Sequence, residues 1–412
     1  MTRRLGVLLA CASITCAGLA VVRAQDWNQW RGPARTGTAA AFTPPAAWPD
    51  RPRKAWEAVV GAGHSSPVVA GGRAFVLSRL GEDEVLTALD LQGGKQIWQQ
   101  RYRATYQVNS AAESHGKGPK STPTVTDGRV FALGINGTLS AFDASSGKPI
   151  WRKTFDRGFD ATSPDFGAAM SPLVDGNNVI VHVGGNKAGA LTALDAATGT
   201  IKWQWKGDGP AYASPVIASF GASRQIVTQS RSNIVGVSAA DGSLLWRIPF
   251  TTAYDQNIVT PLVVGDLVIY SGIEQPLSAV RVREAAGKWT AQPVWKIEAL
   301  PMYMSAPVAS GGNIFGLTHR NKGQFFAVDP RTGTVLWTTR GREGENAALI
   351  AAGDLLMATT TEGELVIARR DVAKFDVVKR YTIAESPVWA HPVPAGRGVL
   401  VKDAEKLAYW VF

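Results

Sequence analysis

Apolar and polar residues alternate in short runs along this chain, and glycine-bearing turns separate the runs, the period-two pattern of half-buried strands. LTALDAATGTIKW, Leu191 to Trp203, is one strand, one turn and the start of a second strand. LTALDLQGGKQIW ending at Trp98, LSAFDASSGKPIW at Trp151, IVGVSAADGSLLW at Trp246 and FFAVDPRTGTVLW at Trp337 repeat the phrase. In all five copies a residue eight positions before the tryptophan closes the first strand (Asp90, Asp143, Asp195, Ser238, Asp329). A glycine stands four positions before it (Gly94, Gly147, Gly199, Gly242, Gly333). The carboxylate can accept turn amides while glycine takes the left-handed backbone position.

Each full unit contains four strand-like runs. The third copy starts at Ser171-Pro172, turns at Asp175-Gly176-Asn177, continues as VIVHVGG, and ends on the LTALD and TIKWQW runs. Proline is tolerated at a first strand position, which accounts for the recurrent Ser-Pro and Thr-Pro starts. The tryptophan falls on the last strand of its unit. An indole of this size buries roughly 150–250 Å², an upper bound of about 4–6 kcal/mol. A single four-stranded unit cannot cover it, so the anchor must pack on a neighbour, as in closed rings of repeats.

Units end at Trp98, Trp151, Trp203, Trp246 and Trp337, with a stretched one reaching Trp295 and a degenerate one reaching about Tyr381. A last unit, from Ser386-Pro387 or His391-Pro392 to LAYWVF, is one strand short. The missing strand is PRKAWEAVV with Trp56. The expectation is an all-β, eight-bladed β-propeller over 54–412, closed by its N-terminal strand, with an extension at 25–53 and a signal peptide at 1–24. Trp56, Trp98, Trp151, Trp203, Trp246, Trp295 and Trp337 are its structural tryptophans.

Composition sharpens this picture. Glycine 43 and tryptophan 14 in 412 residues suit short strands and tight turns. Arg3 and Arg4, an apolar run from Leu5, and Val22-Arg23-Ala24 before Gln25 form a cleavable export signal. An uncleaved anchor and a lipoprotein signal at Leu8-Leu9-Ala10-Cys11 are the weaker readings, because the apolar run is marginal for a span and short before Cys11. Periplasmic or secreted placement follows, with no transmembrane span after processing. Cys11 and Cys16 fall within the signal, so the mature chain has no cysteine for disulfides, thiolate catalysis or attached haem. Without Arg3, Arg4 and Arg23 the balance falls from +10 to +7, and the basic residues are scattered. Solubility explains them, and no nucleic-acid partner is expected.

Strand direction places every long loop on one face, where irregular segments on a rigid ring carry binding. Candidates from those loops are His64, His115, Lys117, Lys120 and Asp165, then Tyr212, Tyr254, Asp255, Gln256 and Asn257. Tyr303, His319, Arg320, Glu345, Asn346, Trp389 and His391 complete them. Each has a bland alternative. Asp255 and Asn257 can cap their own loop, His319-Arg320 can be a solvated corner, and the histidines lack metal-ligand spacing. His182, in VIVHVGG, reads as a satisfied core residue. GKGPKST lacks phosphate-loop spacing and precedes a strand. No metal site and no catalytic residue is assigned.

The A-x-D-x-x-x-G-x-x-x-W phrases resemble the PQQ-like β-propeller repeat proteins over roughly residues 54–412. That family holds both the quinoprotein dehydrogenases and the non-catalytic outer-membrane assembly propellers of BamB type. DWNQWRGPARTG, Asp26 to Gly37, also looks like the opening of exported bacterial members. The dehydrogenases hold a quinone between a tryptophan floor and a vicinal disulfide, with calcium on a carboxylate and an amide and an aspartate base. This chain lacks the disulfide and matches no catalytic motif. Asp165, Asp255 or Glu345 with Asn257 or Asn346 are the available calcium donors. The resemblance therefore implies a monomeric binding or scaffold propeller of the bacterial envelope, needing no cofactor, whose loop-rich face offers a mostly polar funnel to an envelope protein or small ligand. A PQQ- and calcium-dependent dehydrogenase is the alternative, and a carbohydrate-binding propeller a further one.

Overall fold

The computed structural model describes residues 26–412, so the proposed leader and both cysteines lie outside the described residues. Eight four-stranded antiparallel sheets follow one another around a ring. Blades 1 to 7 cover 68–103, 124–153, 173–205, 216–249, 262–297, 308–338 and 347–382, and blade 8 begins at 393. Its outer strand is Arg53–Val59, paired antiparallel with Lys406–Val411 so that Trp56 stands opposite Tyr409. Ring closure by the N-terminal strand is therefore as expected. Joining the two ends of the chain in one sheet removes the free edges that an open array would expose.

The repeated phrase is one contact split between two blades. Trp98 and Trp151 each sit across from an alanine, Ala88 and Ala141, beside a bulge in the pairing. The small partner lets the indole lean outward over the next blade. Trp98 Nε1 donates to the carbonyl of Ala144 at 3.1 Å, and Trp151 Nε1 to that of Ala196 at 3.1 Å. Beneath Trp98 lies Gly147, at φ 74°, where an added Cβ would come within 2.6 Å of the indole. The glycine of one phrase thus seats the tryptophan of the preceding one.

Four seams depart from this rule: Trp203 keeps its Gly242 seat with Nε1 unpaired, Trp337 donates to the Asp371 carbonyl in a turn without glycine, and two others differ more. The stretched blade 5 carries a long hairpin, Gln275–Ala285 with Lys288–Ile297, in place of the glycine turn. Trp246 accordingly donates to Gln225 Oε1 of its own blade at 2.7 Å, and Trp289 of the hairpin packs near Phe220. In blade 7 the tryptophan register is held by Lys379, opposite Ile367. Its neighbour has no turn there, because the chain's two ends meet at that corner. Residues just before the closing strand fill the gap. Lys379 Nζ pairs with Asp50 at 2.9 Å, the Tyr381 hydroxyl donates to the Pro49 carbonyl, and Trp48 packs edge-on to Phe412 at 4.9 Å.

Around the channel the Ser-Pro and Thr-Pro starts do more than tolerate proline. Ser66 N–H donates to Thr122 Oγ1, Thr122 N–H to Ser171 Oγ, Ser171 N–H to Ser214 Oγ, and Ser214 N–H to Thr260 Oγ1. His391 N–H returns to Ser66 Oγ. These blade-to-blade hydrogen bonds satisfy inner amides that the first strand leaves unpaired.

The channel itself is stoppered by the extension. Its Asp26 accepts from Gly71 N–H in a turn of the tight-turn face, and Trp27 pairs with Val69. Asn28 exchanges hydrogen bonds with Val125, and the chain then doubles back past Thr38, which bridges Ala351. The segment therefore enters from the tight-turn face, rises to Trp30 and descends again. Trp27, Ala39 and Phe42 join one core with blades 1, 7 and 8. Docking, rather than a loose tether, is what the aromatic residues of this segment encode.

Candidate functional site

The blade-to-blade loops converge on a cavity of about 210 Å³ at the mouth of the channel. Eight predicted residues line it: His64, His115, Lys120 and Tyr212 on one side, Gln256, Tyr303, Trp389 and His391 on the other. The hydroxyl ring of Ser66, Thr122, Ser214 and Thr260 lies among them, and Trp30 forms the floor. The loops led us to expect a mostly polar wall; it is not, because Ala111, Phe166, Ile258, Val259 and Met304 also face the cavity. The inner polar groups are largely spent on holding the blades together.

The remaining candidates lie elsewhere. Lys117 pairs with Glu82, Asp255 with Arg231, and Arg320 and His319 with Glu274. Asn257 is fully buried and its amide donates to the carbonyls of Ser230, Arg231 and Phe250, so it pins a loop. Asn346 accepts from Met304 N–H, Asp165 N–H donates to Asn186, and Glu345 N–H donates to Glu362. Tyr254 is 83% exposed at a left-handed backbone position and marks the outer rim. Trp30 escaped the reading of the loops because it comes from the extension. The signal that could have found it was DWNQWRGPARTG itself, an aromatic and arginine-rich stretch where a loose linker would be polar and small.

The charge of the funnel has one sign. Among the described residues no aspartate or glutamate lines it. Lys120 donates to the Phe166 carbonyl, and burial pulls it down to about 8. Under the floor, Arg31 and Arg35 are buried at 1% and 3% exposure. Arg35 donates to the Pro172 and Ser171 carbonyls at 2.8 and 2.9 Å and to Gln29 at 3.2 Å. Arg31 donates to the carbonyls of Thr36 and Pro307. Both guanidinium carbons sit over the Trp30 ring, at 5.4 and 5.8 Å from its centroid. Burial lowers Arg31 to about 10, and burial with the nearby Arg31 lowers Arg35 to about 9. Among the described residues neither has a carboxylate partner, and the Nε atom of each is unpaired.

His64 Nε2 donates to the His115 carbonyl at 3.0 Å, and both rings pack against Trp389, at 5.9 and 5.0 Å. His391 meets Trp30 edge-on at 5.4 Å. Burial is the main cause that pulls His64 and His391 down to about 3, and it lowers His115 too. His182, in blade 3, is likewise pulled to about 4; its Nε2 meets the Asp208 carbonyl while Nδ1 lacks a partner, so this core residue is half-satisfied. His64, His182 and His391 are neutral when folded and charge when unfolded below about 6.5, so stability falls as pH falls through that window. Each deeply buried ring costs about 1.4 kcal/mol per pH unit below 6.5. His182 and His391 together should remove about 3 kcal/mol between pH 6.5 and 5, seen as a falling Tm. Equal melting temperatures at those two values would contradict the buried neutral histidines.

The donor set also tests the calcium–quinone arrangement. A tryptophan floor is present, but the calcium donors considered from the sequence do not meet. Asp165, Asp255, Glu345, Asn257 and Asn346 all lie outside the cavity lining. Among the described residues no group of three or more His, Cys, Asp or Glu side chains could hold a metal ion. The funnel does not fit calcium, and two arginines occupy the space beneath it.

With this geometry established, the chain can be set beside known proteins. A family model described as "Outer membrane protein assembly factor BamB" matches residues 50–115, 82–339 and 290–398. The assembly factor BamB of Yersinia pestis is 25% identical over 289 residues, 68% of this chain and 71% of that protein. Among solved structures, a europium-containing methanol dehydrogenase superposes with TM-score 0.69 at 14% identity, over 94% of this chain and 90% of that one. BamB from Moraxella catarrhalis gives 0.64 at 15% identity, over 88% of this chain and 100% of that one. Both superpositions establish the propeller fold, which is shared by binding proteins and enzymes alike.

Proposed function

Because the chain belongs to the family described as outer membrane protein assembly factor BamB, we propose that it is an exported binding propeller of the cell envelope. It recognises its partner with the loop-rich face, as a scaffold in outer-membrane protein assembly. The observation that supports this reading is the funnel: a preformed cavity with aromatic walls and a stoppered base, without calcium donors, on the face that carries the long loops. Such a surface offers shape and a few fixed polar groups at little ordering cost. Export and a monomeric state belong to the same proposal. Among the described residues no helix is long and apolar enough to cross a membrane, which says nothing of a β-barrel.

A photo-crosslinking side chain at Tyr254, on the rim, tests it directly. Ser146, in an exposed turn of the opposite face, is the control. In cells, the Tyr254 position should trap a protein of the outer-membrane assembly apparatus and the Ser146 position should not. The same adduct from both faces, or none from Tyr254, would refute recognition through the loops.

A further inference from the structure

Four cations stand together on the outer rim of the loop-rich face. Arg320 and Lys322 come from the turn between Asn313–Thr318 and Gln324–Asp329 of blade 6, and Arg340 and Arg342 from the link that leads on to blade 7. All four are exposed and lie outside the lining of the funnel. The two segments interlock. Arg342 N–H donates to the Asn321 carbonyl at 3.0 Å and Glu343 N–H to that of Gly323 at 3.1 Å, and a side chain at Gly323 would strike the Gly344 carbonyl. Basic residues that look scattered along the chain are here one patch.

The backbone beneath them is strained. Asn321, Lys322 and Arg342 have φ of 53°, 61° and 65°, the left-handed region in which a Cβ crowds the following carbonyl. Asparagine tolerates that conformation, whereas glycine would suit it better than lysine or arginine. Strain retained at exposed side chains points to a use outside the ring. The acids nearby are largely committed, Glu274 to Arg320 and His319, and Glu343 to Arg380. Among the described residues Lys322, Arg340 and Arg342 have no carboxylate partner, and Glu345 is the one acid of the two segments without an ion pair.

We propose that this patch is the docking site for an acidic segment of a protein partner, whose carboxylates pair with Lys322, Arg340 and Arg342. This deepens the recognition reading and rests on it. The patch continues the rim that Tyr254 marks: the Tyr303 hydroxyl donates to Gln256 at 2.7 Å, and its ring lies 6.3 Å from His319. Guanidinium groups take carboxylates through two parallel N–H bonds, a geometry that protein side chains meet well. A membrane surface would call for a broad field of cations. These are confined to one sector and stand beside Glu274 and Glu345. The interlocked loops hold them in place, so binding orders little of the chain.

The experiment is a fluorescence-anisotropy titration of the full mature chain with a labelled peptide of alternating aspartate and glycine, and with its asparagine counterpart. Flotation with vesicles of phosphatidylcholine and phosphatidylglycerol runs beside it. The aspartate peptide should bind saturably and weaken as salt rises from about 0.1 to about 1 M, where the screening length drops from about 10 to about 3 Å. The asparagine peptide should not bind, and the vesicles should not carry the protein. Lys322→Gly with Arg342→Gly should weaken peptide binding about tenfold yet melt no lower than the parent, because glycine relieves the backbone. Arg340→Gln, where φ is not left-handed, should weaken binding severalfold at unchanged Tm and covers the case in which the glycine pair fails to fold. Lys95→Ser with Lys148→Ser, on the opposite face, should bind as the parent does. Equal binding of the asparagine peptide, salt-independent binding, vesicle binding lost in the patch variants, or a glycine pair that melts lower would overturn the proposal. If the aspartate peptide fails while the Tyr254 adduct still forms, the acidic partner falls and the recognition face stands. Loss of the adduct with peptide binding intact does the reverse.

Discussion

Gly147→Ala should destabilise the ring by about 3 kcal/mol or more, although the change adds one methyl group, at the buried glycine of an otherwise exposed turn. The left-handed backbone alone costs an alanine roughly 1–2 kcal/mol. The larger part comes from the neighbouring blade. A Cβ at Gly147 lies 2.6 Å from the Trp98 indole, which must lift from its seat and give up its hydrogen bond to Ala144. Full loss of such an aromatic contact costs about 3–5 kcal/mol. Gly128 supplies the control, with φ 71° and nothing within 4 Å of an added Cβ. Gly128→Ala should cost only the backbone strain, about 1–2 kcal/mol. Chemical denaturation of the two variants separates the terms, and equal losses would show that the indole is not seated on the glycine.

Trp27→Ala should be the most damaging substitution in the extension. Trp27 is 2% exposed, pairs with Val69 through two backbone hydrogen bonds, and belongs to the core shared by blades 1, 7 and 8. Gly32, at φ 78°, lets the returning chain pass so close that its Cβ position lies 2.8 Å from the indole. Deleting the ring removes about 3–5 kcal/mol of packing. It also weakens the hold on Trp30, Arg31 and Arg35, which no strand fixes in place. The expected result is a lower melting temperature together with rapid protease cleavage between Trp27 and Phe42 while the blades stay intact. A variant that melts lower with that segment still protected would show that Trp27 supports the ring but not the stopper.

The ring was legible in the sequence for a physical reason. Each blade must solve the same problem of covering an indole, so Trp98, Trp151 and Trp203 return at fixed distances from Asp90, Asp143 and Asp195 and their glycines. Where the problem has another solution the pattern fades. Lys379 replaces the anchor in blade 7 because Asp50 and Trp48 arrive from the opposite end of the chain, and no local spacing encodes a partner so distant. The recurrent Ser-Pro pairs showed the strand starts but not their hydroxyl relay, which links residues of successive blades.

The candidate site was half visible. Loop ends beside the innermost strands named His64, His115, Lys120, Tyr212, Gln256, Tyr303, Trp389 and His391, because topology alone brings those positions to the channel mouth. It could not tell which polar loop residues serve the loop itself. Asn257 and Asp255 are occupied by Ser230 and Arg231, partners in a neighbouring hairpin that only the fold reveals. Trp30, Arg31 and Arg35 lie before the first repeat, where periodicity carries no information and only the aromatic and arginine-rich composition of DWNQWRGPARTG marks them.

Everything said of the funnel depends on residues 26–42 running inside the channel, since they build its floor and hold its buried charge. Hydrogen–deuterium exchange on the full chain reads this directly. The amides of Trp27 and Ala39 donate to Val69 and Ala351, and should exchange as slowly as the inner strands they join. Exchange of this segment within seconds, beside protected blades, would mean an open channel and would contradict the account.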